Sequence, residues 1–441
     1  MRIDQSILAF LGTMSLIVSA LHAEEPAPTY RADSLAKDEP QAVYAANPDD
    51  AWNRIFYGLF TRTIKTRLSD DFPEGKPFGV VAVMGFPQLS VSRNTFLRIE
   101  GGDRAIEPLY PSGTGLSTTD LDGSNRAMIE PLYSQLTKAL EDALHEKPQR
   151  PPLARALMQC DVWAAHDLLS RNYNFDGEEG KQRLERRNQL LNLLARLVKK
   201  LALTSDEIKT LPDNYAAAGH HLPDLFGASS EWLEVRWSQE RIHDSAADYR
   251  RVARVFIKPA SPPKDKDTFL NGLRHAENFP EHLDTVAVVT QNLLIDSNGK
   301  VVPTTLTYEV QMRTFVKDKD GKLVKTEVKQ YELSRRLLLN DPKSGGFLAV
   351  DGKAPAYLPS AGNGYAFASQ NPTEPILVRL GTRCMACHGR DGQVVLTFSR
   401  HDRLPPVALL KTSDNEHARY VIEQKLSRED FKSLQKRWKK E

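Results

Sequence analysis

The sequence has 441 residues, 40% of them hydrophobic and 26% charged, a composition that excludes a disordered, collagen-like or membrane-embedded chain and has room for roughly two or three folded units. Its 59 Lys and Arg nearly balance 57 Asp and Glu, leaving a formal charge of +2, so no global field points to nucleic acid or to an anionic membrane. Three cysteines do not make a disulfide framework in a chain of this size.

The first residues read as a cleavable targeting segment over 1–23. Arg2 precedes an apolar run from Ile7 to Ala20, and small residues at Val18, Ser19, Ala20 and Ala23 suit cleavage. The run is shorter than the ~20 apolar residues a membrane span needs, so the mature chain is expected in the periplasm or secreted, with no stable membrane span. Residues 24–48 are rich in Pro, Ala and charge without an apolar period and read as a disordered leader.

From Asp49, expected as an N-cap, the residues Trp52, Ile55, Phe56, Leu59 and Phe60 share one helical face. Residues 79–84 suggest a buried strand, and 100–125, with many Gly, Ser, Thr and Asp, irregular loops. From about Pro151 to Lys258 the pattern is mainly helical. Residues 152–169 and 186–201 carry apolar positions at i, i+3, i+4 and i+7, and Thr204 with Glu207 forms a capping box. Within the first of these helices Cys160 sits between Met158 and Trp163 and is expected to be a buried, inert thiol. The division predicted is a mainly helical domain over 49–258, a Pro-rich linker over 259–268 and a β-rich segment over 269–441.

In that last segment the period changes to alternation. Residues 285–295, 301–316 and 322–339 are separated by Asn298-Gly299 and Asp320-Gly321, which supply the positive φ that two-residue hairpins require. A three-stranded antiparallel meander is expected, then one more strand at Ile376–Leu380. Two closing helices begin at capping boxes formed by Ser413 with Glu416 and Ser427 with Asp430, docked by Leu426, Phe431, Leu434 and Trp438. The fold class predicted is α+β.

Residues 384–388 read Cys-Met-Ala-Cys-His, and C-x-x-C-H is the attachment signature of c-type haem. Thiols three positions apart on one helical turn can each add to a haem vinyl group, and the next imidazole then points at iron. A zinc site would need a second ligand pair, whereas Cys160 stands alone far upstream. A thioredoxin-type pair belongs near the start of a βαβ unit. These five residues resemble the haem site of c-type cytochromes, and the resemblance covers no more of the chain. It implies one covalent haem c, with Cys384 and Cys387 as thioether ligands and His388 as axial iron ligand. Haem attachment after translocation agrees with the targeting segment.

In small cytochromes c the motif lies near the domain's start and a methionine downstream completes the iron site. Here none of the seven methionines follows His388, and Gln393–Phe398 reads as a strand, so a standard small cytochrome c fold is not expected. For the sixth iron position His401 is the first candidate and His417 another. His166, His220, His221, His243, His275 and His282 lie upstream, and an open or water-filled position is the alternative. Arg383, Arg390, Arg400 and Arg403 could pair with haem propionates or simply face solvent. The expected function is one-electron transfer to a redox partner protein or small redox substrate. The alternative is a haem enzyme, peroxidase- or oxidase-like, or a gas or redox sensor with an open iron.

Overall fold

The computed structural model describes residues 43–60, 67–68, 80–84, 95–99, 126–147, 150–170, 177–219, 222–227, 229–235, 249–275, 279–351, 355–358, 376–379, 389–390, 393–394 and 416–438. Within them the architecture is α+β: a helical layer packed on a six-stranded antiparallel sheet. The helices are α1 (Ala51–Phe60), α2 (Arg126–His145), α3 (Pro152–Leu169), α4 (Gly177–Lys200), the short α5 (Ser205–Lys209) and α6 (Asn214–Ala217), α7 (Lys266–His275), α8 (Arg335–Asn340), α9 (Glu416–Ser427) and α10 (Glu429–Trp438). No helix among the described residues is long and apolar enough to cross a membrane.

Helix α1 starts one residue later than its sequence suggests. Asp50, not Asp49, caps it, its carboxylate accepting from the Trp52 backbone N–H at 2.9 Å and satisfying one of the free amides of the first turn. Trp52, Ile55, Phe56 and Leu59 are all buried as expected. The end of the presumed leader packs as well: Val43 is buried, and its N–H donates to the Asn53 side chain at 3.0 Å. The Thr204–Glu207 capping box forms as predicted.

Ahead of the main sheet lie the short strands β1 (Arg67–Leu68), β2 (Val80–Met84) and β3 (Thr95–Ile99), with β2 and β3 paired antiparallel. The main sheet comprises β4 (Leu233–Val235), β5 (Arg251–Pro259), β6 (Leu283–Ile295), β7 (Val301–Lys317), β8 (Leu323–Leu333) and β9 (Phe347–Asp351), ordered as in the sequence. The expected three-stranded meander is its centre, β6 to β8. Two strands, β4 and β5, come from the stretch read as helical. Strand β5 is buried on both faces, so its sequence lacks the alternation that marks a half-exposed strand. The expected linker begins in the last residue of β5 and ends at α7, whose first turn is capped by Asp265 accepting from the Thr268 N–H at 2.7 Å.

Both hairpins turn through three residues rather than two. The Asp296 N–H donates to the Lys300 carbonyl at 2.8 Å and the Asp318 N–H to that of Lys322 at 2.9 Å, with Gly299 and Gly321 at φ 77° and 80°. This is a turn closed by a left-handed glycine. The run 322–339 is not one strand: β8 ends at Leu333, and Ser334 caps α8.

The largest core joins α1, α2, α3 and α4 to the ends of β6 and β7 and to the C-terminal pair α9–α10. Phe431 and Leu434 are fully buried, Trp438 packs against this core, and Leu426 is instead exposed. Ser427 does not cap α10; its hydroxyl donates to the Gln424 carbonyl at 2.7 Å, while the Asp430 carboxylate is taken by Lys425 and Arg428. Ser413 lies outside the described residues.

Candidate functional site

The residues expected to hold haem, Cys384, Cys387 and His388, lie outside the described residues, as does the sixth-ligand candidate His401. What is described is the chain on either side. Strand β11 (Ile376–Arg379) pairs antiparallel with β10 (Pro355–Leu358) and parallel with β1. Directly after the motif, β12 (Gly389–Arg390) pairs with β13 (Gln393–Val394). In the sequence, residues 380–388 lie between β11 and β12. Of the strand expected at Ile376–Leu380, Ile376–Arg379 form β11; of that expected at Gln393–Phe398, Gln393–Val394 form β13, and the remaining residues lie outside the described ones. Among the described residues no group of three or more His, Cys, Asp and Glu could hold a metal ion.

The described chemistry is concentrated where α3 meets the sheet and the C-terminal helices. Asp161 and Asp167 project from α3, a mostly apolar helix that also buries Arg155, Gln159 and His166. Arg335, the first residue of α8, donates from Nε and Nη2 to the two Asp161 oxygens at 3.0 and 2.9 Å. The Tyr44 hydroxyl donates to the same carboxylate. Arg335 also donates to the Tyr308 hydroxyl at 3.3 Å and stands over the Phe56 ring at 5.2 Å. Such a fork saturates the carboxylate and lets both charges be buried. Burial pushes Asp161 up and the paired Arg335 opposes it, while Tyr44 is held well above the usual phenol range by burial and by Asp161.

Two turns of helix further along, Asp167 accepts from the fully buried Lys425 Nζ at 2.6 Å and pairs with Arg250 Nε at 2.9 Å. Lys425 reaches the Asp430 carboxylate at 2.9 Å as well and lies over the Trp163 ring at 5.4 Å. This pairing ties α9–α10 to α3. Burial raises the Asp167 carboxyl to about 7 despite Lys425. His166, fully buried beside it, is lowered to about 3 by burial and by the cations Arg437 and Lys425. Its two ring nitrogens have no hydrogen-bond partner.

Between the two ion-pair groups Cys160, Trp163, Arg250, Arg251, Asn292 and Tyr308 line a small cavity. Cys160 is partly exposed rather than fully buried, yet burial of the thiol and the neighbouring Asp161 push it up to about 12. It is a protonated thiol and a poor nucleophile. Arg251 stacks on the Tyr308 ring at 4.0 Å. The arrangement holds charge within the core and offers no exposed nucleophile or acid–base pair. The sequence carried one signal for it: two aspartates at 161 and 167 inside a mainly apolar helical run. Their partners, Arg250, Arg335 and Lys425, are distant in sequence.

No protein-family model, no curated protein and no solved structure matches this chain.

Proposed function

We propose that this chain is an exported protein carrying one covalent haem c on Cys384 and Cys387, with His388 as axial ligand, and that it passes single electrons to a redox partner protein or small redox substrate. The observation that carries the reading is C-x-x-C-H at 384–388 together with the apolar targeting run at 7–20, two independent features that one maturation route requires. The bound haem would supply a one-electron iron couple. The two cysteines would tether it against loss, and the His388 imidazole would ligate its iron. His401 is the first candidate for the opposite face. The size of the rest of the chain supports a second reading, a haem-dependent oxidoreductase or sensor with an open iron.

The test is an optical spectrum of the exported protein, oxidised and reduced, with and without carbon monoxide, followed by haem staining of a denaturing gel. Stained protein with low-spin bands that carbon monoxide leaves in place supports electron transfer. A high-spin spectrum that shifts supports the oxidoreductase or sensor. An unstained band from exported protein overturns the haem assignment. In Cys384→Ala and Cys387→Ala variants the covalent stain falls, and His401→Ala converts a low-spin spectrum to high spin if His401 is the sixth ligand.

A further inference from the structure

Two of the groups lining the small cavity between α3, β5 and β6 need an acceptor. Trp163 Nε1 and Asn292 Nδ2 are buried and have no hydrogen-bond partner in the protein, and their residues are 0% and 2% exposed. Both residues line the cavity, together with the arginines Arg250 and Arg251, themselves 6% and 4% exposed. An orphaned buried donor costs about 1–3 kcal/mol, and native cores rarely leave two on one wall without something between them. The space, about 10 Å³ for the centre of an occupant, is that of one water-sized particle.

The acceptors on the same wall are already engaged. Asp161 receives both guanidinium bonds of Arg335 and the Tyr44 hydroxyl. The Tyr308 hydroxyl receives Arg335, and the Leu293 carbonyl faces the Cys160 thiol at 4.0 Å. A water would bring two O–H donors into a wall whose need is for acceptors. An acceptor-only particle fits that need: Arg251 and Arg250, the latter already paired with Asp167, put positive charge beside it, and the lining Asp161 carboxylate is neutralised by Arg335. We propose that this cavity is a buried site for one small monoatomic anion of halide type, bound by the Trp163 and Asn292 N–H groups beside Arg250 and Arg251. The ion is a structural ligand joining α3 to β5 and β6, and its assignment does not depend on the haem reading.

The experiment uses the full-length exported protein. Its thermal midpoint is measured as sodium bromide replaces sodium gluconate at constant ionic strength, so that general screening is unchanged. The expected result is a midpoint that rises and saturates with bromide, with the response lost in Asn292→Asp, whose carboxylate repels an anion, and weakened in Trp163→Phe, which keeps the ring and removes the donor. Bromide-soaked crystals of the unaltered protein should carry an anomalous peak in the cavity, within hydrogen-bond reach of Trp163 Nε1 and Asn292 Nδ2. Equal midpoints in the two salts, or a cavity peak without anomalous signal and so a water, would overturn the proposal. If either variant fails to fold, the anomalous map of the unaltered protein decides.

Discussion

Replacing Arg335 by Met removes the fork that holds Asp161 while keeping most of the side chain's length and apolar contact. In the folded protein the pair is almost fully enclosed, with side-chain exposures of 1% and 5%, so solvent cannot take over the role of the lost guanidinium. The Asp161 carboxylate keeps only the Tyr44 hydroxyl, and breaking one side of a buried, hydrogen-bonded ion pair costs about 3–5 kcal/mol. The Phe56 and Tyr308 faces lose a cation as well, at about 0.5–2 kcal/mol. The double variant Asp161→Leu with Arg335→Met has no charge left to strand, and its loss should be smaller than that of Arg335→Met alone. Equilibrium denaturation of the three variants with urea, at one pH and one salt concentration, gives the coupling energy. If Arg335→Met loses less than about 1 kcal/mol, or the two losses simply add, the pair is solvated in solution and its account as a buried network is wrong.

Three further outcomes follow from the same core. His166 is depressed from 6.5 to about 3, so its contribution to stability is complete above about pH 6.5 and declines as pH falls toward 3. The limiting slope is roughly 1.4 kcal/mol per pH unit. Asp167, raised to about 7, runs the other way, its contribution present at low pH and lost as pH rises through 7. The stability difference between His166→Phe and the parent should therefore change between pH 6.5 and 4, and a flat difference would mean that the ring is not buried neutral. Gly345 has φ +73°, and an added Cβ would lie 2.5 Å from the Asn214 carbonyl oxygen and 2.7 Å from the Ala218 Cβ. Gly345→Ala should cost about 2–4 kcal/mol in urea denaturation, and a neutral result would show that this turn relaxes. Finally, thiol titration tests haem attachment and the state of Cys160 together. The native protein should show no fast-reacting thiol and the denatured protein one. Three thiols after denaturation would mean that Cys384 and Cys387 carry no thioether.

Much of the fold was legible because local rules and tertiary needs agreed. The apolar spacing of α1 and α3, the capping box at Thr204 and the Asn-Gly and Asp-Gly turns each name their structure from a few neighbouring residues. Where the reading failed, a distant partner had changed the meaning of a residue. Strand β5 fell inside the stretch read as mainly helical because burial on both faces removes the alternation of a half-exposed strand; its Arg251 stacks on Tyr308 and its Arg254 is held by Glu234 at 2.7 and 2.6 Å. Helix α2 went unread because Pro131 breaks the local pattern, although Leu136, Ala139, Leu140 and Ala143 all turn into the core. Lys425, near the end of α9, is completely buried because two aspartates from different elements, Asp167 and Asp430, pair with it.

The cofactor chemistry proposed here rests on the sequence alone, since the C-x-x-C-H pattern that suggests it lies in five adjacent residues and needs no long-range contact to be read. The sequence by itself determined the α+β class, because helical and alternating periods are properties of neighbouring residues. Only the tertiary structure decided which charges are buried and with whom. The pairs Asp161–Arg335 and Asp167–Lys425 are separated by 174 and 258 positions, and burial energy depends on what chain folding brings within a few ångströms, not on order along the chain.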